Sequence, residues 1–403
     1  MAEELANYDE AKVPAYTLPE VLKCQDGTVA TDAAGWQRHR RLEVLQLFES
    51  LMYGKAPGRP ETVTSTVDSV ETALEGTATR KQISLCFEGQ GQTLCAKLLV
   101  YLPAGQQAPV PTFVGLNFIG NHAIHSDPGI ELPTSWMPEA PGSVPGDHRA
   151  TDATRGRASS RWPVERILQR GYGLATMYCG DFDPDFDDGF QNGVHTLFPR
   201  DDSKGDAWGT LGAWAWGLSR AMDYFEQDPD IDQRQILVVG HSRLGKAALW
   251  AGATDPRFAV VISNDSGCGG AALSRREFGE TVERINRVFP HWFCTAFKSY
   301  GHRVAELPFD QHMLLALMAP RPVYVASAQE DLWADPHGEF LAALAANPVY
   351  QLYGSEGLPC LKMPEVDQPV HGRIGYHMRT GKHDITAYDW DQYMNFADRA
   401  FAR

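Results

Sequence analysis

Residues 237–246, Leu-Val-Val-Gly-His-Ser-Arg-Leu-Gly-Lys, constrain this chain more than any other stretch. The apolar run Ile236 to Val239 drives into Gly240-His241-Ser242-Arg243-Leu244-Gly245, and a helix-forming segment, Lys246 to Ala253, follows at once. A strand, a tight glycine-flanked turn and a helix in immediate succession specify a nucleophile elbow with Ser242 at its tip. Such a turn strains the serine backbone and lifts its hydroxyl above the sheet edge. It also places the Arg243 N–H at a helix N-terminus, where an oxyanion is stabilised. The glycine spacing is unusual: Leu244 stands where G-x-S-x-G needs its second glycine, and Gly245 follows one place later.

The rest of the chain supplies the sheet that such an elbow needs. Residues 34–53 repeat Leu, Val, Phe and Met at helical spacing, and Gly54 is a plausible stop. Residues 62–74 and 78–103 alternate and predict three antiparallel strands, with a turn at Glu88-Gly89-Gln90-Gly91. Strands at 111–118, 173–180, 235–241, 259–264 and 322–328 then alternate with helices near 163–170, 206–226, 246–253 and 389–401. This pattern predicts an α/β fold, a mostly parallel sheet with helices on both faces and antiparallel strands at its N-terminal side. Residues 1–403 read as one domain of this kind, with 1–33 as a loose lead-in. Two long irregular stretches, 119–160 and 181–205, interrupt the pattern. The second carries Asp181, Asp183, Asp185, Asp187 and Asp188, but Phe186 and Pro184 break the calcium-loop pattern, so a loop rimming the site is the better reading.

Composition excludes several classes. A net charge of −15 argues against nucleic acid or an anionic membrane as partner. No apolar stretch approaches the roughly 20 residues that span a bilayer. The N-terminal residues have no basic start and no apolar run, so the chain is either cytoplasmic or has lost a leader. The seven cysteines are scattered and show no C-x-x-C spacing. Buried thiols are the favoured reading. Cys86 could face Cys95 across a hairpin, and Cys268 could meet Cys294.

A serine hydroxyl needs a histidine to take its proton and an acid to orient that histidine. In doubly wound hydrolases these follow in the order serine, acid, histidine. Among the late histidines, His371, His377 and His383, the turn Gly381-Lys382-His383-Asp384 favours His383. The acid belongs at a strand end: Asp331 follows the strand Val323 to Ala328, with Glu330 beside it, and Asp265 follows the strand Val260 to Ser263. Arg243 and Lys246, one and four residues after the serine, form a cationic pair suited to negative charge and polar substrate groups. Trp333 offers a flat face for a sugar ring or an alcohol, or is simply a packed side chain. No metal-ligand cluster is visible, and no metal or other cofactor is called for.

These strings, together with Met52-Tyr53-Gly54-Lys55, Leu116-Asn117-Phe118-Ile119-Gly120-Asn121-His122, Asn264-Asp265-Ser266-Gly267-Cys268-Gly269-Gly270, Gly279-Glu280-Thr281, Phe289-Pro290-His291-Trp292-Phe293 and Glu330-Asp331-Leu332-Trp333-Ala334-Asp335-Pro336, span nearly the whole chain. In them the chain resembles the bacterial glucuronoyl esterases, carbohydrate esterase family 15. The resemblance implies an α/β-hydrolase fold, a three-layer αβα sandwich. It implies hydrolysis of esters between 4-O-methyl-glucuronic acid on glucuronoxylan and lignin alcohols. Ser242 would be the nucleophile, His383 the base and Arg243 an oxyanion partner, with Lys246, Glu280 and Trp333 contacting the sugar. Fungal relatives carry a glutamate at the place of Asp265, and several bacterial relatives an aspartate at the place of Asp331. Asp331 is therefore favoured as the acid and Asp265 as its support. The resemblance also implies an extracellular or periplasmic enzyme whose leader has been removed, and a monomer is expected. The competing readings are another carbohydrate ester hydrolase, such as an acetyl-xylan or feruloyl esterase, and a non-catalytic carbohydrate-binding homologue.

Overall fold

Strand-forming and helix-forming segments alternate along the chain as the hydrophobic pattern requires. The computed structural model describes residues 6–139 and 145–402; residues 1–5 of the lead-in, 140–144 of the long loop and Arg403 lie outside the described residues. Among the described residues ten strands form one mixed sheet: β1 (Thr62–Ala73), β2 (Ala78–Gly89), β3 (Gln92–Pro103), β4 (Val110–Asn117), β5 (Gly173–Tyr178), β6 (Ile231–His241), β7 (Val260–Asn264), β8 (Val323–Ala328), β9 (Val370–His371) and β10 (Ile374–Arg379). Their spatial order is β1-β2-β3-β5-β4-β6-β7-β8-β10-β9. The first three form an antiparallel meander, and β5, β4, β6, β7, β8 and β10 run parallel.

Successive residues of the central strands point to opposite faces, so each strand feeds two cores. Phe113, Leu237, Val239, Val260, Ile262 and Tyr324 pack on one side with α2 (Val164–Gln169) and α6 (Ala387–Phe401). Val114, Ile236, Val238, Val261, Val323 and Val325 pack on the other, against α1 (Arg41–Leu51), α3 (Thr210–Phe225), α4 (Arg243–Thr254) and α5 (Pro336–Ala345). Three layers result. Among the described residues no helix is long and apolar enough to cross a membrane.

The topology opens a crevice where the site must lie. From β4 the chain crosses by α2 to β5 on one flank, then by α3 to β6 on the other, and the two helices leave on opposite faces. Ligands of open α/β sheets bind at the carboxyl ends of the strands at such a reversal. Ser242 follows β6 at that position.

Several expectations shift. The helix expected over 34–53 starts at Ala33 and passes through a five-residue π-turn, Trp36–Arg40, before α1. It stops as expected: Gly54 has φ 84°, and a Cβ there would overlap the backbone of Trp208. The predicted strand at 235–241 begins at Ile231, which pairs with Val110. Strand β10 was not expected, because its polar residues His377 and Arg379 mask it; both are buried and paired. The thiol reading of Cys86 and Cys95 is corrected: the tight turn after β2 sets them opposite each other, and they form a disulfide. Cys268 and Cys294 remain buried, unbonded thiols. Residues 6–32 are largely irregular, yet Asn7 O accepts from Gly279 N (2.8 Å), Pro19 O meets His312 Nε2 (2.9 Å) and Val21 O accepts from Arg40 Nε (3.0 Å).

Candidate active site

The elbow forms as the motif requires. Ser242 has φ 58° and ψ −131°, a conformation that side-chain-bearing residues avoid and that tertiary packing must enforce. The displaced glycine has a steric reason. A Cβ at Gly240 would overlap the Leu244 carbonyl oxygen, and one at Gly245 would lie 3.0 Å from Gly240 O and 3.1 Å from Ser266 Cβ. The elbow thus closes over Gly240, and Gly245 serves the contact between α4 and the loop after β7. Ser242 is the residue before α4, so the Arg243 N–H lies among the free donors of that helix.

Asp331 and His383 come together from the ends of β8 and β10. His383 Nδ1 lies 2.6 Å from Asp331 Oδ2, a short charge-assisted contact. Two backbone bonds staple their turns: Gln329 N donates to Arg379 O and Glu330 N to Gly381 O, both at 2.9 Å. Arg379 then fixes the histidine loop from beneath, donating to Lys382 O (2.8 Å) and Asp384 O (2.5 Å) while pairing with Asp389 (2.9 Å). The His383 ring lies 4.6 Å from the ring of His241, the residue before the serine. His241 is buried and its Nδ1 is 2.6 Å from Asn264 Oδ1; burial, with the nearby His383 and Arg161, holds its pKa well below the usual range, so it is neutral. Glu330 is exposed and lies outside this cluster, and His371 is half-buried at the sheet edge in β9. His377 is fully buried between Tyr324 Oη (3.0 Å) and Asp389 (2.9 Å), inside the fold rather than at its surface.

Asp265 is the second carboxyl of this cluster. Its φ is 45°, and Oδ2 accepts weakly from Asp384 N (3.3 Å) and Arg379 (3.5 Å), while Oδ1 is buried without a partner. Burial first, then the neighbouring Glu339 and Asp331 carboxyls, push its pKa well above the ordinary aspartate value. Ligand atoms of Asp265, Asp331 and His383 all lie within 4.8 Å of one another. A shared ion does not suit them: at 2.6 Å the Asp331 and His383 atoms share a proton, whereas two ligands on a tetrahedral ion with ~2.0 Å bonds sit about 3.3 Å apart.

The two cations beside the serine are held differently. Arg243 Nε is 2.6 Å from Asp185 Oδ2, and its guanidinium lies 4.7 Å over the Phe118 ring. Asp185 also accepts from Trp292 Nε1 (2.7 Å) and meets His291 Nε2 (3.0 Å). Burial raises its pKa, but His291, Arg243 and Trp292 outweigh that and keep it below the ordinary value. The aspartate-rich loop therefore rims the site through Asp185. The other four aspartates take separate partners: Asp181 Ser135, Asp183 Thr210, Asp187 Gly189 N and Asp188 Phe190 N. Lys246 is buried and donates to Ser266 O (2.7 Å) and Cys268 O (2.6 Å), with Glu280 Oε2 3.7 Å away. Glu280 is buried too, which raises its pKa against the pull of Lys246 and Arg284. Trp333 is half-buried: its carbonyl accepts from Glu280 N (3.0 Å), and Arg284 lies 5.1 Å over its ring. Lys246, Glu280 and Trp333 thus form one group beside the elbow and Arg243, Asp185 and Phe118 another, with the Trp292 ring between the two cations, 5.9 Å from Arg243 and 5.8 Å from Lys246. Sequence reasoning did not reach Arg379 or the role of Asp185, since neither lies in a recognisable string with its partner.

This strand order, with a strained serine at the carboxyl end of β6 and a histidine–carboxylate pair supplied by the following strands, defines an α/β hydrolase. A family model described as glucuronyl esterase, fungi, matches residues 191–354. The carbohydrate esterase MZ0003, from an unknown prokaryotic organism, is 54% identical over 396 residues, covering 97% of this chain and 91% of its own. Among solved structures, a promiscuous CE15 esterase from the marine bacterial metagenome superposes with a TM-score of 0.92 at 53% identity, over 98% of this chain and 100% of that one. A glucuronoyl esterase from Solibacter usitatus gives 0.91 at 48% identity, over 97% and 100%. The chain belongs to carbohydrate esterase family 15, the glucuronoyl esterases, and is a carboxylic ester hydrolase.

Proposed function

We propose that this enzyme cleaves esters of glucuronic acid or its 4-O-methyl ether, borne on glucuronoxylan, from lignin alcohols. The observation that carries this reading is the 2.6 Å His383–Asp331 contact set beside a strained Ser242 whose flank holds a buried lysine and a buried glutamate. Ser242 Oγ attacks the uronyl carbonyl while His383 Nε2 takes its proton, and Asp331 stabilises the imidazolium. The Arg243 N–H and guanidinium meet the oxyanion. His383 returns the proton to the alcohol oxygen, which leaves, and a glucuronoyl-Ser242 ester remains. Water then attacks that ester while His383 takes its proton, the acyl–Oγ bond breaks as His383 returns the proton to Ser242 Oγ, and the uronate departs. Asp265 supports the acid.

Two of the three Lys246 ammonium protons are engaged by Ser266 O and Cys268 O, and the third faces Glu280 Oε2 at 3.7 Å, a gap that a sugar hydroxyl would bridge. Glu280 offers acceptors beside it, and Trp333 a face for the ring. The route needs no cofactor. The two solved structures compared above are of esterases of this family, one of them described as promiscuous. The Cys86–Cys95 disulfide favours an oxidising compartment outside the cytoplasm. Nothing in the proposed route requires a second copy, so the working unit is taken as a monomer.

The test is an ester panel. Methyl and benzyl glucuronate should be turned over with kcat/KM at least about tenfold above that for p-nitrophenyl acetate, and Ser242→Ala should abolish turnover of both by about 10⁴ or more. The reverse ranking would overturn the substrate assignment, and an active Ser242→Ala variant the nucleophile.

A further inference from the structure

Glu339 lies on α5, outside every motif and outside the proposed chemistry, yet it is fully buried. Its Oε1 accepts from the backbone N–H groups of Ser266 and Gly267, both at 2.9 Å, with Ser266 Oγ at 3.3 Å. Its Oε2 accepts from Ser327 Oγ of β8 at 2.6 Å. The loop it gathers is the one after β7. That loop carries Asp265 at its start, and the carbonyls of its Ser266 and Cys268 hold Lys246. Gly267 is pressed against the chain just before α5, where an added Cβ would lie 3.0 Å from Ala334 Cα. The same loop thus faces the acid cluster on one side and the lysine on the other.

We propose that Glu339 is a positioning residue: by binding the Ser266 and Gly267 N–H groups it sets the two carbonyls that aim Lys246, and through Lys246 it governs recognition of the acyl part of the substrate. The proposal rests on the sugar-contacting reading of Lys246. Burial pushes the Glu339 carboxyl up to about 8 against the bonds from Ser327 and Gly267, so at pH 7 the neutral acid prevails, its Oε2–H turned to Ser327 Oγ in place of the accepted bond, and glutamine is its mimic. A glutamine oxygen can keep both backbone bonds while its amide donates to Ser327 Oγ. Aspartate withdraws the acceptor by one methylene and leaves two buried N–H groups unmet.

Steady-state kinetics on benzyl glucuronate and p-nitrophenyl acetate, with hydrogen–deuterium exchange over residues 264–270, test this in the full chain. Loss of one buried bond is worth about a factor of ten, so Glu339→Asp should raise KM for the glucuronate about tenfold and leave acetate turnover within about threefold. Exchange over 264–270 should quicken. Glu339→Gln should restore all three readouts. Equal losses on both esters, an unchanged KM, or a glutamine variant as impaired as the aspartate one would each overturn the proposal. Should Glu339→Asp fail to fold, Ser327→Ala, which keeps both backbone bonds but loosens the carboxyl at Oε2, should give a smaller rise in KM with the same selectivity, and a rise on both esters alike would overturn the proposal. A wild-type enzyme that does not prefer glucuronate would refute the substrate reading instead, and unchanged exchange in Glu339→Asp would then refute the anchoring role by itself.

Discussion

Replacing Asp331 with asparagine separates the two carboxyls that surround His383. Asp331 is buried and its Oδ2 lies 2.6 Å from His383 Nδ1. With charge centres about 4 Å apart and an effective dielectric near 20, the carboxylate stabilises the imidazolium by about 4 kcal/mol, or about 10³ in kcat. The full loss should not appear. Asp265 offers an oxygen within 4.8 Å of the same cluster, and after burial and the Glu339 carboxyl the Asp331 charge is one of the causes that raise the Asp265 pKa. Removing that charge eases ionisation of Asp265, which then supplies part of the field. We expect kcat on methyl glucuronate to fall about 10- to 100-fold in Asp331→Asn, about threefold or less in Asp265→Asn, and about 10³-fold in the double variant. The sign of the pH effect follows. The Asp265 pKa is raised, so it is neutral at low pH and becomes charged only as pH rises through its folded value. The residual kcat of Asp331→Asn should therefore climb as pH rises through the raised Asp265 pKa, a step that the double variant lacks. Two results would refute the reasoning: a larger loss from Asp265→Asn than from Asp331→Asn, or a double variant no worse than Asp331→Asn alone.

Two further outcomes follow from other contacts. Asp185→Ala removes the 2.6 Å anchor of Arg243 and the partner of His291, and should lower kcat about 10²-fold, with Asp185→Asn retaining more activity through the Trp292 bond; loss of activity with unchanged kcat and a raised KM would count against an oxyanion role. Burial pushes Asp181 up to about 6 from 3.8, so the fold is favoured by its protonated form and loses that contribution as pH rises through 6. Asp181→Asn, whose amide can serve both Ser135 and the Lys97 N–H, should gain up to about 3 kcal/mol, or about 3 °C in Tm, at pH 8 and nothing at pH 4 by scanning fluorimetry; an equal shift at both pH values would show that packing, not charge, decides.

Much of the fold was legible because its signals are local. Continuous apolar runs such as Leu237-Val238-Val239 report a strand buried on both faces, and all the strands predicted from such runs are present. Helix α5 and strand β10 were not foreseen, and β10 was hidden because its polar residues are neutralised only by distant partners. His377 and Arg379 look like loop residues until Asp389, on another element, is seen to bind both. The cysteines behave in the same way. Nine residues of spacing allow Cys86 and Cys95 to pair, but only the register of β2 with β3 joins them.

The candidate site divides along the same line. The elbow and the cationic pair after it rest on short strings whose geometry is set within a few residues, and those the sequence determined by itself; His383 and Asp331, 52 residues apart, meet only through the adjoining ends of β8 and β10. What the tertiary structure alone decided is how these groups are held. Asp185 reaches Arg243 from a loop more than fifty residues earlier, Arg379 clamps the turn that carries His383, and Glu339 gathers the loop that aims Lys246. Each of these contacts joins elements whose separation in sequence carries no periodicity and no turn chemistry. Their bonds exist because burial in a shared, low-dielectric layer makes an unpaired polar group costly, and only the closed sheet determines which groups are buried together.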